Sequence, residues 1–298
     1  MSQEQFLLDR QKGIGGSDVA AIMGISPWKT PLDVYLEKTT PVGDGLEPDK
    51  PALARGRRCE KYILEEYTDH TLQTLTPGRL IRHPKYPFLQ GHVDAFVKGY
   101  EGIVVEAKSV AGSPNSWDNE IPPYYKTQVA HYALISDCER VDVPVLFDRW
   151  QYACFSYYRD PTFEDQIMQA CLAFWHDHVL KENPPQPRSL HDAQSLYPMP
   201  EATGCQATKQ VQEDLGQLAC VMEAKKKLAE REESIKVRVM GYMKNHETLL
   251  DGKTILATWK GQKRSILDTG QLKTNHPELY TQYSKEQTIR VFRLNRLA

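Results

Sequence analysis

Apolar and polar positions along the 298-residue chain change their period several times, and each change marks an element. Gly13-Ile-Gly-Gly-Ser-Asp18 leads into the apolar run Val19 to Met23 and then Gly24. A serine before such a run and a glycine after it suit the ends of a short helix, with Ser17 as N-cap. Thr30-Pro31 opens a second helix through Lys38, with proline at the first helical position. Residues 39–50 are rich in Pro, Gly and Asp and read as a loop. A longer helix follows from about Ala52 to Tyr67, with Leu53, Ile63, Leu64 and Tyr67 forming an apolar stripe.

Three strand-like stretches come next, near 72–83, 91–98 and 102–109. The Pro-rich turn His83-Pro-Lys-Tyr-Pro87 separates the first two, and Glu101-Gly102 reads as a hairpin turn before the third. Pro122-Pro123 opens a helix to about Ser136, strands near 141–147 and 151–158 follow, and a helix runs from Thr162 to about Lys181. The order helix, three strands, helix, two strands, helix predicts an α/β domain over 1–182 with a mixed central sheet flanked by helices. Residues 183–208, with Asn183-Pro-Pro-Gln-Pro187 and Tyr197-Pro-Met-Pro200, read as a Pro-rich linker.

Beyond the linker, Val211, Leu215, Leu218 and Met222 recur at helical spacing, and Ile235, Val239 and Tyr242 resume the pattern. A long amphipathic helix or a helical hairpin is predicted, followed by a short hairpin at Asp251-Gly252 and a strand over Ile289 to Leu294. Residues 209–298 thus form a C-terminal helical and β segment.

Hydrophobic residues make up 40% and charged residues 26% of the chain, an ordinary globular composition. No apolar run approaches a membrane span, and MSQEQFLLDRQKG lacks the layout of a signal peptide, so a cytoplasmic protein is expected. The six cysteines are scattered without a CxxC pair, against a zinc or iron–sulfur site. His176 and His178, two apart on a helix, point to different faces and are not read as ligands. The net charge of −2 divides unevenly, with +6 over residues 205–298 and −8 over residues 1–204. A basic C-terminal third, including Lys260, Lys263, Arg264, Arg290, Arg293 and Arg296, suits a phosphate backbone, although for Lys225 to Lys227 alone a solvated helix face is the better reading.

The candidate chemistry lies in Gly91-His-Val-Asp94 and, after eleven further residues, Glu106-Ala-Lys108. Side chains two apart on a strand share a face, so Glu106 and Lys108 point together, and the hairpin folds Asp94 beside them. Two carboxylates in one site repel unless a cation lies between them, and hard oxygen ligands suit Mg²⁺ or Mn²⁺. Lys108 can then orient or deprotonate an attacking water. An isolated ExK triplet more often describes a solvated cross-strand salt bridge; here the apolar lead Ile103-Val-Val105 and the nearby Asp94 bring the two readings level. Glu60, in Arg55-Gly-Arg-Arg-Cys-Glu60, reaches the same place if its helix crosses the sheet, or else serves as an i,i+4 partner.

Taken in order, Arg10 through Ser17-Asp18, Pro27-Trp-Lys-Thr-Pro31, Gly56 with Glu60, Gly91-His-Val-Asp94, Glu106-Ala-Lys108 and Gln128-Val-Ala-His-Tyr132 resemble the YqaJ-type viral recombinase nucleases, related to the lambda-type phage exonuclease. The resemblance covers roughly residues 5–180 and implies a restriction-endonuclease-like PD-(D/E)xK core. It further implies that Asp94, Glu106 and the Ala107 carbonyl bind metal, two Mg²⁺ or Mn²⁺ ions, with Glu60 assisting and Lys108 serving the water. A pocket for a 5′-terminal phosphate is implied near Arg10, Ser17 and Gln128, with His131 and Tyr132 on the DNA side. Val93 stands where the motif's name has proline.

The activity so implied is 5′-to-3′ digestion of one strand of double-stranded DNA from an end, leaving a 3′ single strand. A single-strand annealing protein as partner, a ring of three subunits and, for a phage-encoded chain, the bacterial host cytoplasm are implied by the resemblance alone. Two other readings stay open: an endonuclease or repair nuclease on the same core, and an inactive DNA-binding scaffold. Against the scaffold stands the presence together of Glu60, Asp94, Glu106 and Lys108.

Overall fold

The computed structural model describes residues 3–41, 51–285 and 289–295. The chain divides into two compact units, Met1–Leu196 and Tyr197–Ala298. In the first unit, helices α1 (Gln3–Gln11), α2 (Gly16–Ile22), α3 (Pro31–Thr39) and α4 (Pro51–Thr71) precede six short strands. These are β1 (Leu75–Pro77), β2 (Leu80–Arg82), β3 (Gln90–His92), β4 (Ala95–Val97), β5 (Tyr100–Val105) and β6 (Lys108–Ser109). Helix α5 (Pro123–Ser136), strands β7 (Arg140–Leu146) and β8 (Tyr152–Tyr158), and helices α6 (Pro161–Phe174) and α7 (Leu190–Leu196) complete it.

The central sheet is mixed, as expected for the α/β class. β1 pairs antiparallel with β4 and β4 with β5, while β5 and β6 both run parallel to β7, which pairs antiparallel with β8. Strand alternation sorts the side chains into two layers. Ala95, Val97, Ile103 and Val105 pack with Tyr67 and Leu64 of α4 on one face. Phe96, Val104, Val141, Val143 and Val145 belong to the larger core on the other face, with Val129, Ala130 and Ala133 of α5, Val19 and Ala21 of α2, and Ile167 of α6.

Where 102–109 was expected as one strand, β5 and β6 are two pieces of one line, interrupted at Glu106-Ala107. Val105 pairs with Asp142 and Lys108 with Val145, so the register is kept across the gap. Pro144 of β7 lies opposite the gap, and proline has no N–H to give a ladder. The 72–83 stretch likewise divides into β1 and β2, and 91–98 into β3 and β4, with Asp94 at the bend where the chain leaves the β2–β3 pair for the main sheet. The hairpin turn is Lys98-Gly99, with Gly99 at φ +79°, and not Glu101-Gly102.

Helix α2 starts two residues earlier than Ser17 as N-cap suggests. Its N-cap is Gly15, whose N–H is taken by Oδ2 of Asp18 at 3.1 Å, so Ser17 lies inside the first turn and is not the cap. Gly24, at φ +74°, ends that helix as expected. Helix α4 extends to Thr71, and α6 continues as a wider π turn over Trp175–Val179. The stretch read as a linker contains α7, whose Asp192 is buried and accepts from Thr30 Oγ1 at 3.1 Å. Of the loop expected over 39–50, residues 42–50 lie outside the described residues.

The second unit is built on one unbroken helix, α8 (Lys209–Met243), capped by Thr208, whose hydroxyl accepts from the Val211 amide. The hairpin of β9 (Thr248–Asp251) and β10 (Thr254–Thr258) turns at Gly252, with φ +57°. Two short helices not foreseen, α9 (Thr269–Asn275) and α10 (Pro277–Tyr283), follow, and residues 289–295 carry no strand. Arg296 lies outside the described residues. Among the described residues no helix is long and apolar enough to cross a membrane.

Candidate active site

The break between β5 and β6 puts Glu106 on the α5 side of the sheet, where it is 4% exposed. Its Oε1 accepts from Lys108 Nζ at 2.5 Å and from Gln128 Nε2 on α5 at 2.7 Å. Its Oε2 is buried with no hydrogen-bond partner. Asp94, at the bend between β3 and β4, accepts the Ala107 N–H on Oδ2 at 2.8 Å, which ties the two halves of the motif together through the backbone. Glu60 comes from α4 and feels the charges of both Asp94 and Lys108. Glu60, Asp94, Glu106 and Lys108 are therefore brought together.

The electrostatics of this group are strained in one direction. Burial, then the neighbouring Asp94 and Glu60, push the Glu106 carboxyl up to about 8 even though Lys108 pulls it down. Burial also raises Asp94 against the pull of Lys108 and the Ala107 amide. Glu60 is raised by burial and by Asp94. Burial alone would lower Lys108, but Glu106 and Asp94 outweigh it and hold the amine charged. Three carboxylates share one ammonium, and all three are held above their ordinary range.

A hard divalent cation relieves such a group, because its charge favours every ionised carboxylate at once. The fit rests on the Glu106 Oε2 atom, a buried acceptor without a donor. Among the described residues no three acidic, histidine or cysteine side chains converge into a ready-made cage. Mg²⁺ does not require one, since it keeps several waters and is held by one or two carboxylates. The donor chemistry therefore fits Mg²⁺ or Mn²⁺ at Asp94 and Glu106 with Glu60 beside them.

Around Arg10 and Ser17 the chain builds an ion-pair cluster centred on Asp18. Arg10 donates to Ser17 Oγ at 3.2 Å and to Oδ1 of Asp18 at 2.8 Å. Asp18 is wholly buried and also receives Lys38 Nζ at 2.7 Å and Lys29 Nζ at 3.3 Å. Burial works against its charge, but Arg10, Lys38 and Lys29 overcome this and hold it well below the usual carboxylate range. Lys29 also reaches Glu37 at 2.7 Å. The local sequence pattern does not announce the meeting of Asp18 with Lys29 and Lys38; an acidic residue directly after Ser17 in a glycine-rich turn is its one trace.

Gly16 separates this cationic cluster from the carboxylates. A Cβ there would lie 2.7 Å from the Tyr132 ring and 3.0 Å from Gln128, so glycine is what lets α2 rest on α5. Two expected DNA-side residues are corrected by burial. His131 is 0% exposed, its Nε2 lies 3.0 Å from the Gln90 carbonyl, and burial lowers it to about 4, so it is a neutral core residue with no face for DNA. Tyr132 is also buried, and its hydroxyl accepts from Gln128 at 3.0 Å. Gln128 itself bonds Glu106 and presents its donor there.

Residues 5–139 match the YqaJ-like viral recombinase domain. The uncharacterized protein YqaJ of Bacillus subtilis (strain 168) is 28% identical over 98% of this chain and 94% of its own length. An alkaline exonuclease from Laribacter hongkongensis superposes with a TM-score of 0.49 at 21% identity, over 61% of this chain and 94% of that one. A phage related exonuclease from Haemophilus somnus 129PT gives 0.43 at 12% identity, over 57% and 96%.

Proposed function

We propose that the chain, whose residues 5–139 match the YqaJ-like viral recombinase domain, is a metal-dependent deoxyribonuclease. Its reaction is 5′-to-3′ digestion of one strand of linear duplex DNA, leaving a 3′ single strand for recombination by annealing. The observation that carries the reading is Glu106: a buried carboxylate held near pH 8, with one oxygen unpartnered and a charged lysine on the other.

Asp94, Glu106, the Ala107 carbonyl and Glu60 would hold one or two Mg²⁺ or Mn²⁺ ions. When bound, the metal stabilises charge on the phosphate and lowers the pKa of a water. Lys108, held charged beside Glu106 and over the Tyr125 ring at 5.5 Å, would orient that water by donating a hydrogen bond to it. Gln128 keeps Glu106 turned toward the lysine. Arg10, which donates to Ser17 Oγ, would take the terminal phosphate beside the first turn of α2. A single-strand annealing protein is the partner such a product calls for.

The test is digestion of end-labelled linear duplexes, with and without a 5′ phosphate, in Mg²⁺ beside a covalently closed circle. Release of mononucleotides from phosphorylated ends with the circle intact is the expected result. Comparable nicking of the circle would replace this reading by an endonuclease. No cleavage of any DNA in Mg²⁺ or Mn²⁺ would remove the nuclease reading.

A further inference from the structure

Trp28 is 65% exposed, although an indole is among the most rewarding side chains to bury. Its exposure is not the result of a loose loop. Ser26 Oγ accepts from the amides of both Trp28 and Lys29 at 3.2 Å, the amides of Ile25 and Ser26 both reach the Ala20 carbonyl, and Thr30 caps α3. The ring is thus presented on tied backbone. It stands 4.8 Å from Tyr124 at 81° and 6.0 Å from Tyr125, the two residues that open α5 after its first proline.

The position of this pair is informative. Tyr125 is the ring beneath Lys108 Nζ, so one side chain separates the exposed indole from the amine of the carboxylate site. On its other flank the next residue, Lys29, belongs to the Asp18 cluster with Arg10. The indole lies between the carboxylate site, proposed to bind metal, and the Asp18 cluster with Arg10 and Lys29; if these meet neighbouring phosphates of one strand, the intervening base has to go somewhere. We propose that Trp28, backed by Tyr124, is a stacking platform for a nucleobase adjacent to the scissile phosphate. This rests on the nuclease reading for the identity of the strand. Stacking suits a sequence-independent digestion because every base offers a π-face.

The experiment uses the full chain and 5′-phosphorylated duplexes in which either nucleotide flanking the first scissile phosphate is intact or replaced by an abasic analogue. Affinity is measured in Ca²⁺ and single-turnover cleavage in Mg²⁺. The parent protein should bind at least one abasic duplex about tenfold more weakly than the intact one. Trp28→Ala should lose about tenfold on the intact duplex and nothing further on that abasic duplex, while Trp28→Phe retains most of the affinity. Equal losses by Trp28→Ala on intact and abasic duplexes, or no loss at all, overturn the platform. Base-dependent binding without cleavage in either metal would remove the nuclease reading and leave the platform standing.

Discussion

The carboxamide of Gln128 holds Glu106 in place: its Nε2 donates to Oε1 of Glu106 at 2.7 Å and to the Tyr132 hydroxyl at 3.0 Å, all of it buried. A hydrogen bond to a charged group contributes about 1.5–3 kcal/mol. Gln128→Leu should therefore lower kcat by about tenfold to a hundredfold with little change in KM. Because the lost donor favours the ionised carboxylate, the acid limb of the kcat–pH profile should move upward; an unmoved limb would mean Gln128 only packs.

Glu106 also sets a pH dependence. Its carboxyl stands at about 8 in the folded chain against 4.5 ordinarily, so folding takes up a proton between those values. This group's contribution to stability is present below about pH 4.5 and is lost as pH rises through 8. Metal binding needs the ionised form, so it should release a proton below about pH 8 and weaken by up to about tenfold per unit as pH falls. Titration calorimetry at pH 7 in two buffers of different ionisation enthalpy reads that proton directly; equal heats in both would contradict the assignment.

Glu106→Gln removes a buried charge that the protein stabilises poorly, and Asp94→Asn removes one of its two closest acidic neighbours. Both should lower cleavage by about a thousandfold or more, while thermal unfolding of Glu106→Gln above pH 8 stays level or rises. Lys108→Ala should cripple turnover yet leave metal binding measurable. A loss of metal affinity equal to that of Asp94→Asn would reverse the division of roles.

Lys38 and Asp18 form a bridge with side chains 1% and 0% exposed. Removing one partner leaves a buried charge alone, a loss of about 3–5 kcal/mol. Asp18→Asn should show this in denaturant unfolding, and Lys38→Met, which leaves Arg10 and Lys29 on Asp18, a smaller loss. Since the Asp18 carboxyl is depressed, its stabilisation is present at neutral pH and disappears only as pH falls below the ordinary carboxylate value. Below that range the Asp18→Asn deficit should shrink.

Arg10 is one-third exposed beyond its bond to Asp18. Arg10→Ala should slow digestion of 5′-phosphorylated ends about tenfold more than of hydroxyl ends, because a charge-assisted contact is lost only on the former. Equal slowing on both would leave Arg10 as a partner of Asp18 and nothing more.

What the sequence determined by itself is local. Glycine and proline placed the ends of α2, α3 and α5, the apolar run Ile103-Val-Val105 announced a buried strand, and the ExK spacing set Glu106 and Lys108 on one side, because strand and helix periods act between near neighbours. Tertiary structure decided everything that depends on which face is covered. The turn moved to Lys98-Gly99, and the strand broke opposite Pro144, a residue nearly forty positions away along the chain. Glu60 had two equal readings until α4 crossed the sheet beside Asp94. His131 and Tyr132 look like polar site residues in a row of letters, and the packing of α5 on α2 and β3 turned them inward. Asp18 draws its three cations from α1, the loop after α2, and α3. No periodicity records such a meeting, since the cost of burying the Asp18 carboxylate is offset by cations from three separate elements.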